Sequence, residues 1–109
     1  MNEDFKDFLA CLLRTQARFL VVGAHALAVQ GVPRATGDLD IWIDASAENA
    51  DMMTAITGVE FEDAWQRKEI HRIDEAEIPF IGRRDFITNT RATGRLRDLA
   101  DIEALGETP

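Results

Sequence analysis

The sequence predicts an α/β fold of the α+β kind, a small mixed β-sheet packed by helices. Three observations lead there. Apolar residues recur at helical spacing near both ends of the chain, a short continuous apolar run stands at 19–22, and residues 38–44 alternate as a strand does. The 109 residues fit one domain, 1–109. Hydrophobic residues make up 46%, enough for a packed core and too many for a disordered chain.

The elements follow in order. Asn2 is placed to cap a first helix, with Glu3 and Asp4 at its positive end. Phe5, Phe8, Leu9, Leu12 and Leu13 form its apolar stripe, and Cys11, one position off it, reads as a minor packing residue. Phe19-Leu20-Val21-Val22 reads as a strand buried on both faces, ended by Gly23. A helix from about Ala24 to Gln30 follows, then a loop marked by Gly31, Pro33 and Gly37. In 38–44, Leu39, Ile41 and Ile43 point one way, and Asp38, Asp40, Trp42 and Asp44 the other.

Ser46 reads as the N-cap of a third helix running to about Thr57 and stopped by Gly58, with Met52 and Met53 as core filler. Phe61 to Trp65 reads as a short turn or helix. Glu69–Ile73 and Glu77–Ile81 flank the turn Asp74-Glu75-Ala76 as a hairpin. Arg84 to Thr93 reads as a helix stopped by Gly94. Leu96, Leu99, Ile102 and Leu105 give a last helix its stripe, and Gly106 ends it.

Charge and cysteine content narrow the function. Twelve basic against 20 acidic residues give a net charge of −8, which argues against a broad nucleic-acid-binding surface but leaves room for a local basic patch. One cysteine allows no internal disulfide and no Cys-rich zinc site. No apolar run approaches the ~20 residues of a membrane span. The acidic N-terminus does not read as a signal or transit peptide, so a cytoplasmic location with no membrane partner is expected.

The chemistry concentrates between Gly23 and Asp44. Residues two apart on a strand share a face, about 6.5–7 Å between Cα atoms. Asp38 and Asp40 at that spacing are candidate ligands for Mg²⁺, or for Mn²⁺ in its place, since these ions favour carboxylate oxygen and keep positions open for phosphates. The helix after Gly23 offers unpaired N–H groups, and glycine admits a phosphate close to the backbone. Gly23, Ala24, Arg34 and Thr36 are the candidate phosphate contacts. The competing reading is an Asp pair on the solvated face of a half-buried strand. Trp42 on that same face argues against bare solvent. A haloacid-dehalogenase-type D-x-D is a poor match. "RATG" rather than an apolar strand precedes Asp38, and Trp42 holds the place of Thr or Val.

"FLVVGAHALAVQGVPRATGDLDIWID" resembles the nucleotidyltransferase superfamily with the DNA polymerase β-like fold, and within it the small bacterial abortive-infection-type proteins. Gly23, Gly31, Arg34, Thr36, Asp38 and Asp40 match that pattern, and Ala24 replaces the second small residue of the usual pair. "PFIGRRDFITNTRATGRLRDLADIEAL" resembles the group's closing segment through Arg91, Gly94, Asp98 and Asp101, with Thr90 where a Lys is common and Leu96-Arg97 where Pro-Lys is common. The resemblance implies a trimmed nucleotidyltransferase fold and Mg²⁺-dependent transfer of a nucleoside monophosphate from an NTP to a protein or RNA hydroxyl. Asp38 and Asp40 would then be the catalytic, metal-holding pair. The stretch that carries a third carboxylate in relatives is missing between Gly58 and "VEFEDAW", and Asp74 reads as a turn residue rather than its substitute. The alternative is therefore a catalytically degenerate binding module, such as a toxin–antitoxin component. Loss of a strand would expose a sheet edge, which a homodimer would cover, and a cognate toxin or antitoxin is the partner expected of the binding module.

The remaining polar residues carry two readings each. His25 is placed to touch a phosphate or a base, or else to pack partly on the sheet. His71 has no metal-ligand spacing to His25. Arg83, Arg84, Arg91, Arg95 and Arg97 form either a basic rim for a nucleotide or RNA end, or surface charge balanced by Asp85, Asp98 and Asp101.

Overall fold

The computed structural model describes residues 3–32, 38–44, 56 and 58–108. Among these the chain is α+β, with the order α1 (Glu3–Arg14), β1 (Phe19–Val22), α2 (Gly23–Val29), β2 (Asp40–Ile43), α3 (Phe61–Gln66), β3 (Glu69–Ile73), β4 (Ala76–Phe80), α4 (Arg83–Thr93) and α5 (Leu96–Ala104). The expected Asn2 cap, the Pro33 and Gly37 loop positions and the Ser46–Thr57 helix with Met52 and Met53 lie outside the described residues, except Ile56, which forms an isolated bridge with Val59 rather than a helical turn.

The four strands form one mixed sheet in the order β2-β1-β4-β3. β1 runs antiparallel to β2 and parallel to β4, and β4 runs antiparallel to β3. The continuous apolar sequence of β1 has its reason here, because the strand is central and all four residues are buried. β3 lies at an edge, so its burial alternates and Ile70 is 50% exposed. The β3–β4 connection is the expected hairpin, with Asp74 at φ +56° in its turn and Ala76 already in β4.

β2 is buried at Ile41, Trp42 and Ile43, so both of its faces are covered beyond Asp40. Trp42 packs edge-on to Phe61 of α3 at 4.9 Å between ring centroids. Such a pair adds to burial because the edge of one ring meets the negative face of the other. Arg18 lies over Phe61 and Trp65 and pairs with Asp44 and Glu62, tying the start of β1 to α3. α2 packs on β1, β2 and α4, and α4 packs on α5.

Three stripe residues, Phe8, Leu13 and Leu96, are exposed, and so is Cys11 beside the first stripe. The buried side of α1 is set by Leu9 and Leu12 alone. Leu96 is 87% exposed, since the first residue of α5 lies beyond the contact that buries Ile102 and Leu105. The stop after α4 is as the sequence predicts, with Gly94 in the left-handed conformation at φ +64° and its N–H on the Thr90 carbonyl. Asp85, in the first turn of α4, is buried and takes a forked pair from Arg67, at 2.8 Å from Nη2 and 3.0 Å from Nε. No helix among the described residues is long and apolar enough to cross a membrane.

Candidate functional site

The strand register builds the site. Antiparallel pairing sets Asp40 opposite Val22, the last residue of β1. The next residue is Gly23, where the chain leaves the sheet for α2 at φ +68°. The pairing therefore presses the Asp40 carboxylate against the Gly23 α-carbon, and a Cβ on residue 23 would collide with the Asp40 Oδ2. The left-handed conformation favours glycine here, and any side chain would have to displace the Asp40 carboxylate.

A cleft of about 320 Å³ opens at this junction. Gly23, Ala24, Asp38 and Asp40 line it together. His25 is not among the lining residues, because its ring meets Phe5 of α1 edge-on at 5.5 Å instead. Arg34 and Thr36 lie outside the described residues.

The facing surface comes from the other end of the chain. Phe86, Asn89, Thr90 and Thr93 of α4 line the cleft, followed by Arg95, Arg97, Asp98 and Asp101 around the start of α5. The α4 residues stand at i, i+3, i+4 and i+7, a single helix face. That polar stripe was the available signal, and the sequence reading missed Asn89 and Thr93. Of the five arginines weighed as a basic rim, Arg95 and Arg97 reach the cleft. Arg83 and Arg91 donate to the Leu105 and Thr108 carbonyls and hold the chain after α5. Asp85 pairs with Arg67, not with a neighbouring arginine.

Asp98 is buried, at 6% exposure. Burial alone would push its carboxyl up. Hydrogen bonds from the Arg95 side chain, the Thr93 hydroxyl and the Arg95 N–H instead hold it below the ordinary carboxylate range. No group of three His, Cys, Asp or Glu side chains among the described residues is arranged to hold a metal ion. The carboxylates available at the glycine turn are the pair, Asp38 and Asp40. Two carboxylates and solvent oxygens still suit Mg²⁺, which retains water and seeks octahedral geometry. The cleft thus offers carboxylate oxygen at one wall, glycine backbone beside it, and guanidinium groups at the other.

Comparison of the chain with protein-family models, with curated proteins and with solved structures finds no match.

Proposed function

We propose that this chain is a Mg²⁺-dependent nucleotidyltransferase-like protein that takes a nucleoside triphosphate into the cleft and transfers its nucleoside monophosphate to a hydroxyl of a protein or RNA acceptor. The observation that carries the reading is the junction of Gly23 and Asp40 at the head of one cleft with Asp38. The resemblance quoted above supplies the reaction class. Asp38 and Asp40 would hold the metal, which supplies charge neutralisation for the triphosphate. Among the described residues four carboxylates line the cleft against two guanidiniums, a balance that favours a metal-bound polyphosphate over a bare one. Gly23 and Ala24 would receive phosphate oxygens at the backbone, and Arg95 and Arg97 would face the anion from the opposite wall. In the transfer, the acceptor oxygen bonds to the α-phosphorus and the bond to the bridging α–β oxygen breaks. Pyrophosphate leaves with that electron pair, and the acceptor proton passes to solvent.

A second reading keeps the nucleotide and drops the transfer. Its support is the lack of a three-carboxylate set among the described residues. Calorimetric titration with Mg-ATP and Mg-GTP tests the shared part. Asp38→Asn and Asp40→Asn are each expected to weaken binding at least ~10-fold, about 1.4 kcal/mol. Affinity equal to wild type in both variants would remove the metal role. α-Labelled NTPs with candidate acceptors then separate the two readings, because label on the acceptor supports transfer and bound but untransferred nucleotide supports the binding module.

A further inference from the structure

The Asp98 carboxylate is committed before any ligand arrives. Its Oδ2 accepts from Thr93 Oγ1 at 2.9 Å, from the Arg95 N–H at 3.2 Å and from Arg95 Nε at 2.7 Å. Its Oδ1 accepts from Arg95 Nη2 at 3.3 Å. A carboxylate held this way is a poor metal ligand, because coordination would have to displace charge-assisted hydrogen bonds.

The same contacts define the arginine. Arg95 meets Asp98 along one edge of its guanidinium, through Nε and one Nη, which fixes the plane of the group. The opposite edge keeps its N–H donors, on a side chain 58% exposed that lines the cleft. Gly94, at φ +64°, makes the sharp turn that brings Arg95 back beside Thr93.

We propose that Asp98 is a positioning residue, which holds Arg95 in one orientation on the cleft wall so that the free edge of the guanidinium meets the anionic oxygens of a polyphosphate. This assignment rests on the reading of the cleft as a metal–polyphosphate site. Asp98 contributes no ligand to the metal and touches no substrate. It removes the orientational freedom that an exposed arginine would otherwise lose on binding. Thr93 acts one step further back, by fixing Asp98.

The test is a double-mutant cycle read by calorimetry with two probes, Mg-ATP and inorganic tripolyphosphate with Mg²⁺. Arg95→Ala is expected to weaken both probes ~10-fold, and Asp98→Ala nearly as much. The double variant should be no weaker than Arg95→Ala alone, because Asp98 acts through Arg95. Thr93→Val spares the buried carboxylate and guards against a misfolded Asp98→Ala. It should weaken both probes about 2–3-fold in wild type and have no effect in the Arg95→Ala background. Raising salt should weaken wild type more than Arg95→Ala. Effects that add in the cycle would overturn the positioning role, as would an Asp98→Ala protein with a lower melting temperature and wild-type affinity. In either case wild type still binds, so the cleft reading survives. A wild-type protein that binds neither probe overturns the cleft reading and this assignment together.

Discussion

The cleft at Gly23 and the groove between α1 and the β3–β4 hairpin are close in volume, about 320 and 360 Å³, and unlike in chemistry. The groove is lined by Glu3, Lys6, Asp7, Asp74 and Glu75 over an apolar floor that includes Leu9 and Ile78. Its lysine is committed: Lys6 Nζ lies 2.9 Å from Asp74 and 3.3 Å from Glu3, stapling the first helix to the hairpin turn. Those two carboxylates, Asp74 first, hold the Lys6 ammonium above its ordinary range. The cleft differs in that its backbone is shaped around an acid. Volume does not separate the two hollows; a glycine set against a carboxylate, opposite the guanidinium that Asp98 holds, does.

Substitutions in the two hollows sharpen that contrast. The largest expected effect is on Gly23→Ala. A left-handed backbone and a collision with Asp40 together should remove about 2–4 kcal/mol of unfolding free energy, measured in urea. Ala10→Ser in the groove should change it by about 0.5 kcal/mol. Equal losses at the two positions would dissolve the distinction. Next, Asp40→Asn should weaken Mg-ATP at least ~10-fold, whereas Asp74→Asn, which keeps the turn conformation, should leave it unchanged. Gly94→Ala should cost about 1 kcal/mol by straining the stop of α4, and should loosen Arg95 at the same time.

An acid titration gives a further, smaller test. Asp98 and Glu69 both sit below their ordinary ranges in the fold. For Glu69, burial pushes upward, and the Arg83 N–H, Gln30 and His71 together outweigh it. Such groups stabilise the fold fully above their unfolded values, 3.8 and 4.5, and the contribution fades as pH falls through the depressed folded values. Unfolding free energy should therefore fall below about pH 4.5 in wild type and fall less steeply in Asp98→Asn. Identical acid limbs would show that the Asp98 contacts add no stability. Lys6→Ala, which breaks an exposed pair, should move the melting midpoint by about 2 °C or less.

Much of the fold was legible in local sequence. The run Phe19–Val22 announced a central strand, and Gly94 announced the end of α4. The alternation at 38–44 predicted a strand with Asp38 and Asp40 on one face; β2 begins at Asp40, so Asp38 stands before the strand, and the two meet only as lining of the cleft. The partner of Asp40 across the sheet was not legible, because the register that sets Asp40 against Val22 belongs to the pairing of two segments distant in sequence. The second wall was harder to read for the same reason. Arg95 and Asp98 are local neighbours and looked like balanced surface charge. Only the packing of α4 beside α2, with α5 against α4, puts them at the cleft. His25 read more readily as a packing residue than as a ligand contact, and its ring lies against Phe5 of α1.

The most direct measurement is an amide NMR titration with a non-hydrolysable NTP and Mn²⁺, whose unpaired electrons broaden nearby signals. The account predicts the strongest broadening at Gly23, Ala24 and Asp40, with Arg95 shifting on nucleotide addition. Broadening centred on Glu3, Asp7 and Asp74, or spread evenly over the acidic surface, would contradict it.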